Sequence, residues 1–487
     1  MRILFVTSEA YPLIKTGGLG DICYALPNAL RQLGIDIRLL LPGYPAVLEQ
    51  LSLIEVHENI RLPSLQEPIR ILAGIMPGEI TPVYVIECPS LYERDGGPYQ
   101  DRNGKNWSDN ALRFGILSQV AALFGSHHLL FKPQIVHCND WQTGLVPAFL
   151  TFNPNNHKNA RTMMSIHNMA YQGIFRPEVV ERFGLPPESF SISGLEYYGK
   201  VSFLKAGLYY SDWITTVSPS YAKNIQTPTY GCGLDGLLTV RKAELTGIVN
   251  GIDTAVWNPE TDHFLNSNYN TKSLLLKFRN TQELRQKLGL SPSKQAPIIG
   301  MIARLIEQKG IDLVIPIIPD IMKSGAQLVI LGSGDKDFEE ALQQLAIYYP
   351  QQISVTIGYN EELAHQIEAG ANMFLMPSKF EPCGLNQMYS MCYGTIPIVR
   401  RTGGLADTVI DATPNNIQAK IATGFVFEKE DSDELLSCIR RALRTFRYKS
   451  KWRQLQMTGM KRDFSWHESA KQYVSLYHSI LNSKSQS

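Results

Sequence analysis

The sequence is short of charge. Asp, Glu, Lys and Arg make up 19% of its 487 residues, and the formal net charge is +1. A chain so close to neutral has no global field to attract a polyanion or a membrane surface, so no nucleic acid and no membrane are expected as partners. It is short of cysteine too: seven, at 23, 88, 138, 232, 383, 392 and 438, with no C-x-x-C pair. An odd, scattered set points away from a zinc site or a disulfide framework and toward a reducing compartment. No apolar run approaches the roughly 18 residues of a membrane-spanning helix. The opening "MRILFVTSEAYPLIK" turns polar after a few apolar residues, as a buried strand does and a signal peptide does not. The cytoplasm is the expected compartment, or a plastid stroma if a transit peptide has been removed. Two nucleotide-binding signatures are also missing. There is no G-x-x-x-x-G-K-S/T, which argues against an ATP-hydrolysing enzyme, and Gly18-x-Gly20 is followed by Cys23 where a dinucleotide fingerprint needs a third glycine.

What is present is a rhythm of short apolar runs and helical stretches. Strands are predicted at Arg2–Glu9, Asp36–Leu41, Val83–Cys88, Gln134–Asn139, Thr162–His167 and Trp213–Ser218. A second series follows at Ile298–Ala303, Gln327–Gly332, Ile353–Tyr359, Met373–Ser378 and Ile396–Arg401. Most are continuously apolar, as parallel strands covered on both faces are. Between them lie helical segments such as "NALRFGILSQVAALFG", "GIDLVIPIIPDIMKSG" and "DSDELLSCIRRALRTFR". The alternation predicts an α/β protein with a doubly wound parallel sheet, twice over. The rhythm lapses near "NGIDTAVWNPETDHF", giving expected domains at 1–250 and 251–465 and a last amphipathic helix within 466–487.

In open α/β sheets ligands bind beyond the carboxyl ends of the strands. Polar residues and glycines cluster there: Lys15 to Asp21 after the first run, Asp140 and Trp141 after the fourth, His167 after the fifth. In the second half Arg304 and Lys309, Tyr359, Glu381 and the Thr402-Gly403-Gly404 turn follow their strands in the same way. "KTGGLGD" at 15–21 and "TGGLAD" at 402–407 are nearly the same turn and are expected to be equivalent loops of two similar domains, lining opposite walls of one cleft. Arg304 and Lys309, at an expected helix start, make a good anion site, a diphosphate above all. Each feature has a plain alternative as solvated charge, core histidine or ordinary turn; their recurrence at nearly every strand end is what carries weight.

Several stretches resemble the bacterial glycogen synthases and plant starch synthases, glycosyltransferase family 5. They are "KTGGLGD", "HCNDWQTGLVPAFL", "IHNMAYQGIF", "SFLKAGLYYSDWITTVSPSYA", "GIVNGID", "ARLIEQKG", "FEPCGLNQMYSMCYGTIPIVRRTGGLADTV" and "DFSW", in order along essentially the whole chain. The resemblance implies a GT-B fold: two facing Rossmann-like domains with an interdomain cleft, the last helix crossing back to the first. It implies transfer of glucose from ADP-glucose to the non-reducing end of an α-1,4-glucan with configuration retained, with no cofactor.

The same resemblance implies roles. Lys15 matches a donor-binding lysine, with Gly18 and Asp21 beside it; Asp140, Trp141 and His167 match sugar-contacting residues. Asn250 matches a residue at the transferred glucose, Arg304 and Lys309 the diphosphate pair, and Tyr359 an aromatic that stacks on adenine. Glu381, Cys383, Gly384 and Leu385 match the loop that holds glucosyl hydroxyls; Thr402 and Gly403 stand at the second glycine turn, and Tyr99 in "GGPYQD" matches an aromatic near donor or acceptor. Ile306-Glu307 and Asn386 depart from the expected smaller or hydroxyl residues. Tyr389, eight positions after Glu381, breaks the Glu-x7-Glu spacing of sucrose- and trehalose-phosphate-handling relatives. A catalytically silent glucan-binding scaffold is the alternative of a different class, and it would show loss of Lys15, Arg304, Lys309 or Glu381; all four are present. Two D-x-D strings, Asp335-Lys336-Asp337 and Asp431-Ser432-Asp433, are not expected to hold a metal, because the cations suffice for the diphosphate.

Overall fold

In the computed structural model, which describes residues 1–154, 159–293 and 295–483, the chain divides into two units. Unit 1 is Met1–Gly251 with Trp466–Ser487, and unit 2 is Ile252–Ser465.

Unit 1 contains β1 (Arg2–Val6), β2 (Asp36–Pro42), β3 (Ile54–Ile60), β4 (Ile69–Ile75), β5 (Pro82–Glu87) and β6 (Ile135–Asn139). It continues with β7 (Arg161–Ile166), β8 (Ile174–Phe175), β9 (Glu196–Tyr197), β10 (Lys200–Ser202), β11 (Trp213–Thr216) and β12 (Leu245–Gly247). Nine of these form one sheet in the order β12-β11-β7-β6-β1-β2-β5-β4-β3, and β8, β10 and β9 form a small antiparallel one. Pairing from β12 to β5 is parallel, and β4 and β3 add on antiparallel. The β3–β4 hairpin is not predicted from the sequence: β3 is largely exposed, so it has no continuous apolar run. Register shifts at Glu55, His57 and Ile60 interrupt this edge, a device that discourages pairing with another chain.

Unit 2 contains β13 (Ile298–Ile302), β14 (Gln327–Gly332), β15 (Ile353–Ile357), β16 (Met373–Met376), β17 (Ile396–Arg400) and β18 (Phe425–Phe427), ordered β15-β14-β13-β16-β17-β18. All its pairings are parallel. Counted along the unit the order is 3-2-1-4-5-6, the winding of dinucleotide-binding sheets, and the parallel part of unit 1 starts the same way. Ile299, Met301, Leu328, Ile330, Leu375 and Ile398 are buried in the sheet core, with Leu435 and Ile439 of the helix Ser432–Phe446 packed on it.

Three sequence expectations need correction. Several predicted strands overrun: Arg2–Glu9 stops at Val6, Trp213–Ser218 at Thr216, and Met373–Ser378 at Met376. Their last residues leave the ladder to build the loops described below. The stretch from 311 to 323 is not one helix, because Pro316 and Pro319 divide it into Ile311–Val314, a tight turn Ile315–Ile317 and Ile318–Lys323. The two Thr-Gly-Gly turns are not equivalent loops, for one follows the first strand of its unit and the other the fifth of its own.

The helix Trp466–Asn482 belongs to unit 1, where the Ser469 hydroxyl donates to the Val249 carbonyl at 2.7 Å and the Tyr477 hydroxyl lies 2.8 Å from His137 Nδ1. No helix among the described residues is long and apolar enough to cross a membrane.

Candidate functional site

The carboxyl edge of the unit 1 sheet is built around a buried acid held in an unusual backbone. Asp140 follows β6 with φ of +53° and ψ of −174°, a region costly for a side-chain-bearing residue and found where a side chain must be aimed. Its Oδ1 accepts the His167 backbone N–H at 2.7 Å, and the Asn168 N–H also favours the anion. Burial outweighs both, with help from the Glu9 charge, and pushes the carboxyl up to about 7.

The two histidines at this edge differ. His137 is satisfied at both ring nitrogens, by Tyr477 and by Ser165 at 2.6 Å, and is a core residue. His167 is not. Asn139 donates its amide to the Val6 carbonyl at 3.0 Å, so its oxygen takes the His167 Nε2–H at 3.0 Å. That leaves Nδ1 as a buried acceptor with no protein partner. Burial pushes His167 down to about 4, so the ring is neutral at physiological pH.

Asn250 Oδ1 and Gln142 Oε1 are likewise buried without a partner in the protein. Such atoms each cost about 1–3 kcal/mol, which a hydroxyl-rich ligand would recover. Gln142 was not singled out from the sequence, although it stands beside Asp140 and Trp141 in "NDWQ". The Trp141 ring is packed by Phe114 at 5.0 Å, Phe175 at 5.7 Å and Tyr99 at 6.4 Å, so much of its surface serves the core. Lys15, on the loop before the helix Gly18–Gln32, pairs with Asp21 at 2.7 Å, both half exposed. A Cβ on Gly17 or Gly18 would meet nothing within 4 Å.

At the carboxyl edge of unit 2, Arg304 is exposed after β13. Lys309 ends a single tight turn, Glu307–Lys309, that leads directly into the short helix Ile311–Val314, whose N-cap is Gly310. The turn ends at Gly310, whose φ of +72° and contact with the Pro377 carbonyl require glycine. Lys309 Nζ binds Glu381 Oε2 at 2.5 Å, and the Ser378 hydroxyl donates to the same oxygen at 3.0 Å. Glu381 is 6% exposed and lies in a loop five residues ahead of the helix Asn386–Cys392, not at a helix start. The chain then passes buried Cys383, Gly384 at φ of +70° and half-buried Leu385.

Two of the three unexpected residues, Asn386 and Glu307, make defined contacts in this architecture. The Asn386 amide donates to the Ile302 carbonyl at 2.9 Å, and Glu307 binds Lys379 at 2.6 Å. Thr402 is buried with an unpartnered hydroxyl. Gly403, at φ of +42°, lies against the Glu381 carbonyl, and Gly404 against that of Cys383. Tyr359, after β15, is 79% exposed. Asp335 and Asp431 each precede a helix, and Asp431 caps its helix through the Glu434 N–H at 2.9 Å. Among the described residues no group of three or more His, Cys, Asp or Glu is arranged to hold a metal ion.

Two Rossmann-like parallel sheets with the terminal helix returned to the first unit define the GT-B class of glycosyltransferase. A sucrose-phosphate synthase from Thermosynechococcus elongatus shares this fold at a TM-score of 0.59 and 18% identity, over 98% of each chain. Residues 2–240 match the starch synthase catalytic domain and residues 280–454 the glycosyl transferases group 1. Glycogen synthase 1 of Methylococcus capsulatus is 48% identical over 99% of this chain and 97% of its own, and the glycogen synthase of Nitrosomonas eutropha 49% over 99% and 96%. The catalytic domain of starch synthase IV from Arabidopsis thaliana, bound to ADP and acarbose, matches at a TM-score of 0.86 and 32% identity over 99% of each chain. The chain belongs to the glycogen and starch synthase family of glucan-extending glucosyltransferases.

Proposed function

We propose that the chain transfers glucose from ADP-glucose to the non-reducing 4-hydroxyl of an α-1,4-glucan, in the cytoplasm, with retention and without a metal ion. The observation that carries this reading is the Lys309–Glu381 pair at the carboxyl edge of unit 2, a cation and a buried acid on one loop system. It gains support from the relative bound to ADP and acarbose.

In this reading Arg304, Lys309 and Lys15 neutralise the diphosphate, and Tyr359 stacks on the base. Glu381, with the Cys383-Gly384-Leu385 backbone and Thr402, binds glucosyl hydroxyls. Lys309 and Ser378 both bind Oε2 of Glu381, which directs Oε1 toward the sugar. The His167 Nδ1 and Asn250 Oδ1 acceptors take sugar hydroxyls. The C1–O bond to the diphosphate breaks as the glucan hydroxyl attacks C1 from the same face, and the hydroxyl proton passes to the departing phosphate oxygen. Cations placed where charge develops on that phosphate contribute most to rate. Asp140, as the anion, stabilises positive charge at C1.

Glycogen offered with labelled ADP-glucose or UDP-glucose tests the reading. Label enters polymer from ADP-glucose preferentially; no incorporation from either donor would overturn it.

A further inference from the structure

One buried carboxylate at the carboxyl edge of unit 1 has no part in that scheme. Glu9 lies three residues past β1 and is 2% exposed. Its Oε2 accepts the Thr16 backbone N–H at 2.5 Å, and its Oε1 accepts the Thr16 hydroxyl at 2.7 Å and the Tyr99 hydroxyl. The Tyr99 hydroxyl is also 2.7 Å from Ser8 Oγ, and its carbonyl accepts from the Asn110 amide at 2.9 Å. One carboxylate thus ties together the end of β1, the Lys15 loop and the segment leading to the helix Asn110–Gly125.

Burying an anion is costly unless it is fully bonded, and three charge-assisted hydrogen bonds offset that cost here. They use three of the carboxylate's roughly four acceptor positions, so Glu9 has little left for a ligand. The turn it grips needs gripping: Lys15 through Gly18 are exposed, and a Cβ added at Gly17 or Gly18 would meet nothing within 4 Å. Other ties of the turn include the Tyr11 N–H to the Gly20 carbonyl at 3.0 Å, the Gly20 N–H to the Gly17 carbonyl at 3.3 Å, Lys15 Nζ at 5.8 Å from the Tyr11 ring centroid, and the solvent-screened Lys15–Asp21 pair.

We propose that Glu9 is a positioning residue for donor binding: its carboxylate latches the Lys15-Thr16-Gly17-Gly18 turn to Tyr99, so that Lys15 and the turn's amides meet the donor diphosphate already ordered. The inference rests on the donor role proposed above for Lys15. It assigns Thr16 and Tyr99 to the latch, and Tyr99 acts through its hydroxyl rather than as a stacking surface.

Amide hydrogen exchange over residues 14–20 and the donor and glucan KM values test it in Glu9→Ala, Thr16→Ala and Thr16→Ser. Thr16 is exposed, so its variants fold whether or not Glu9→Ala does. Loss of one charge-assisted bond in Thr16→Ala should raise the ADP-glucose KM roughly tenfold and speed exchange of the turn. The glucan KM should stay within about twofold, and Thr16→Ser should restore both readouts. Glu9→Ala, where folded, should exceed Thr16→Ala in each. Unchanged exchange in Thr16→Ala would overturn the latch itself. Faster exchange with an unchanged donor KM would overturn the proposal on the other ground, the donor role of the Lys15 turn.

Discussion

The turns Thr16-Gly17-Gly18 and Thr402-Gly403-Gly404 carry the same three residues at the carboxyl edges of two similarly wound sheets, and both lead into a helix. Their glycines are there for opposite reasons. Around Gly17 and Gly18 there is open space, so the missing side chains leave bare amides accessible to a ligand. Around Gly403 and Gly404 there is backbone: the carbonyls of Glu381 and Cys383 occupy the positions a Cβ would take. The threonines differ in the same sense. Thr16 is exposed and gripped by Glu9, whereas Thr402 is buried with an unpartnered hydroxyl. One string therefore serves an accessible loop in unit 1 and a close-packed loop in unit 2, and like sequence does not imply like place in the fold.

The contrast is broken most directly at the crowded turn. Gly404→Ala should cost about 3 kcal/mol in denaturant unfolding, because the 381–385 loop has to shift to admit a Cβ, and transfer should fall well over 100-fold. Wild-type stability in this variant would show that the turn is not crowded. In the same unit, Arg304→Ala or Lys309→Ala should lower the rate at saturating donor by about 100-fold through lost stabilisation of the leaving diphosphate. Near-normal rates for both would remove the cations from that role.

The open turn should behave differently. Gly18→Ala should unfold like the wild type yet bind donor about tenfold more weakly, as expected of backbone approached closely by a ligand. A fall in stability with unchanged donor KM would make the two turns alike after all.

The acid of unit 1 supplies a pH test. Burial raises Asp140 to about 7, so its anion is lost as pH falls through that value, and kcat/KM should drop about tenfold per unit on the acid side. Asp140→Asn should flatten this limb, whereas His167, already pushed down to about 4, should not contribute to it. The stability sign is opposite. A raised folded-state value means that the contribution of Asp140 to stability is present below the unfolded carboxyl range and is lost as pH rises through about 7. An acid limb that persists in Asp140→Asn would assign it to another group. The smallest expected effect is that of chelation: if Lys15, Arg304 and Lys309 serve the diphosphate as proposed, transfer in excess EDTA should match the untreated rate within about twofold. Loss restored by Mg²⁺ would overturn that.

Much of this was legible in the sequence because parallel strands buried on both faces leave continuous apolar runs, and because their carboxyl ends are where polar residues gather. That rule found Lys15, Asp140, His167, Arg304, Lys309 and Glu381 as residues at strand ends. It did not find Glu9, which followed the same rule but stood inside a predicted strand, or Gln142, hidden behind the more conspicuous Asp140 and Trp141. Nor did it find β3 and β4, whose half-exposed residues lack a buried strand's pattern.

By itself, then, the sequence determined the two α/β units, the positions of most of their parallel strands along the chain and the chemistry available at those strand ends, because these depend on periodicity and residue type over short distances. Tertiary structure alone decided which of two like histidines is satisfied and which keeps a bare nitrogen. It decided that Lys309 rests on Glu381, that Glu9 grips Thr16 across seven residues and Tyr99 across ninety, and that two identical glycine pairs face open space and backbone respectively. Each of these depends on what the fold brings within about 3 Å of a given atom, and sequence spacing holds no record of that distance.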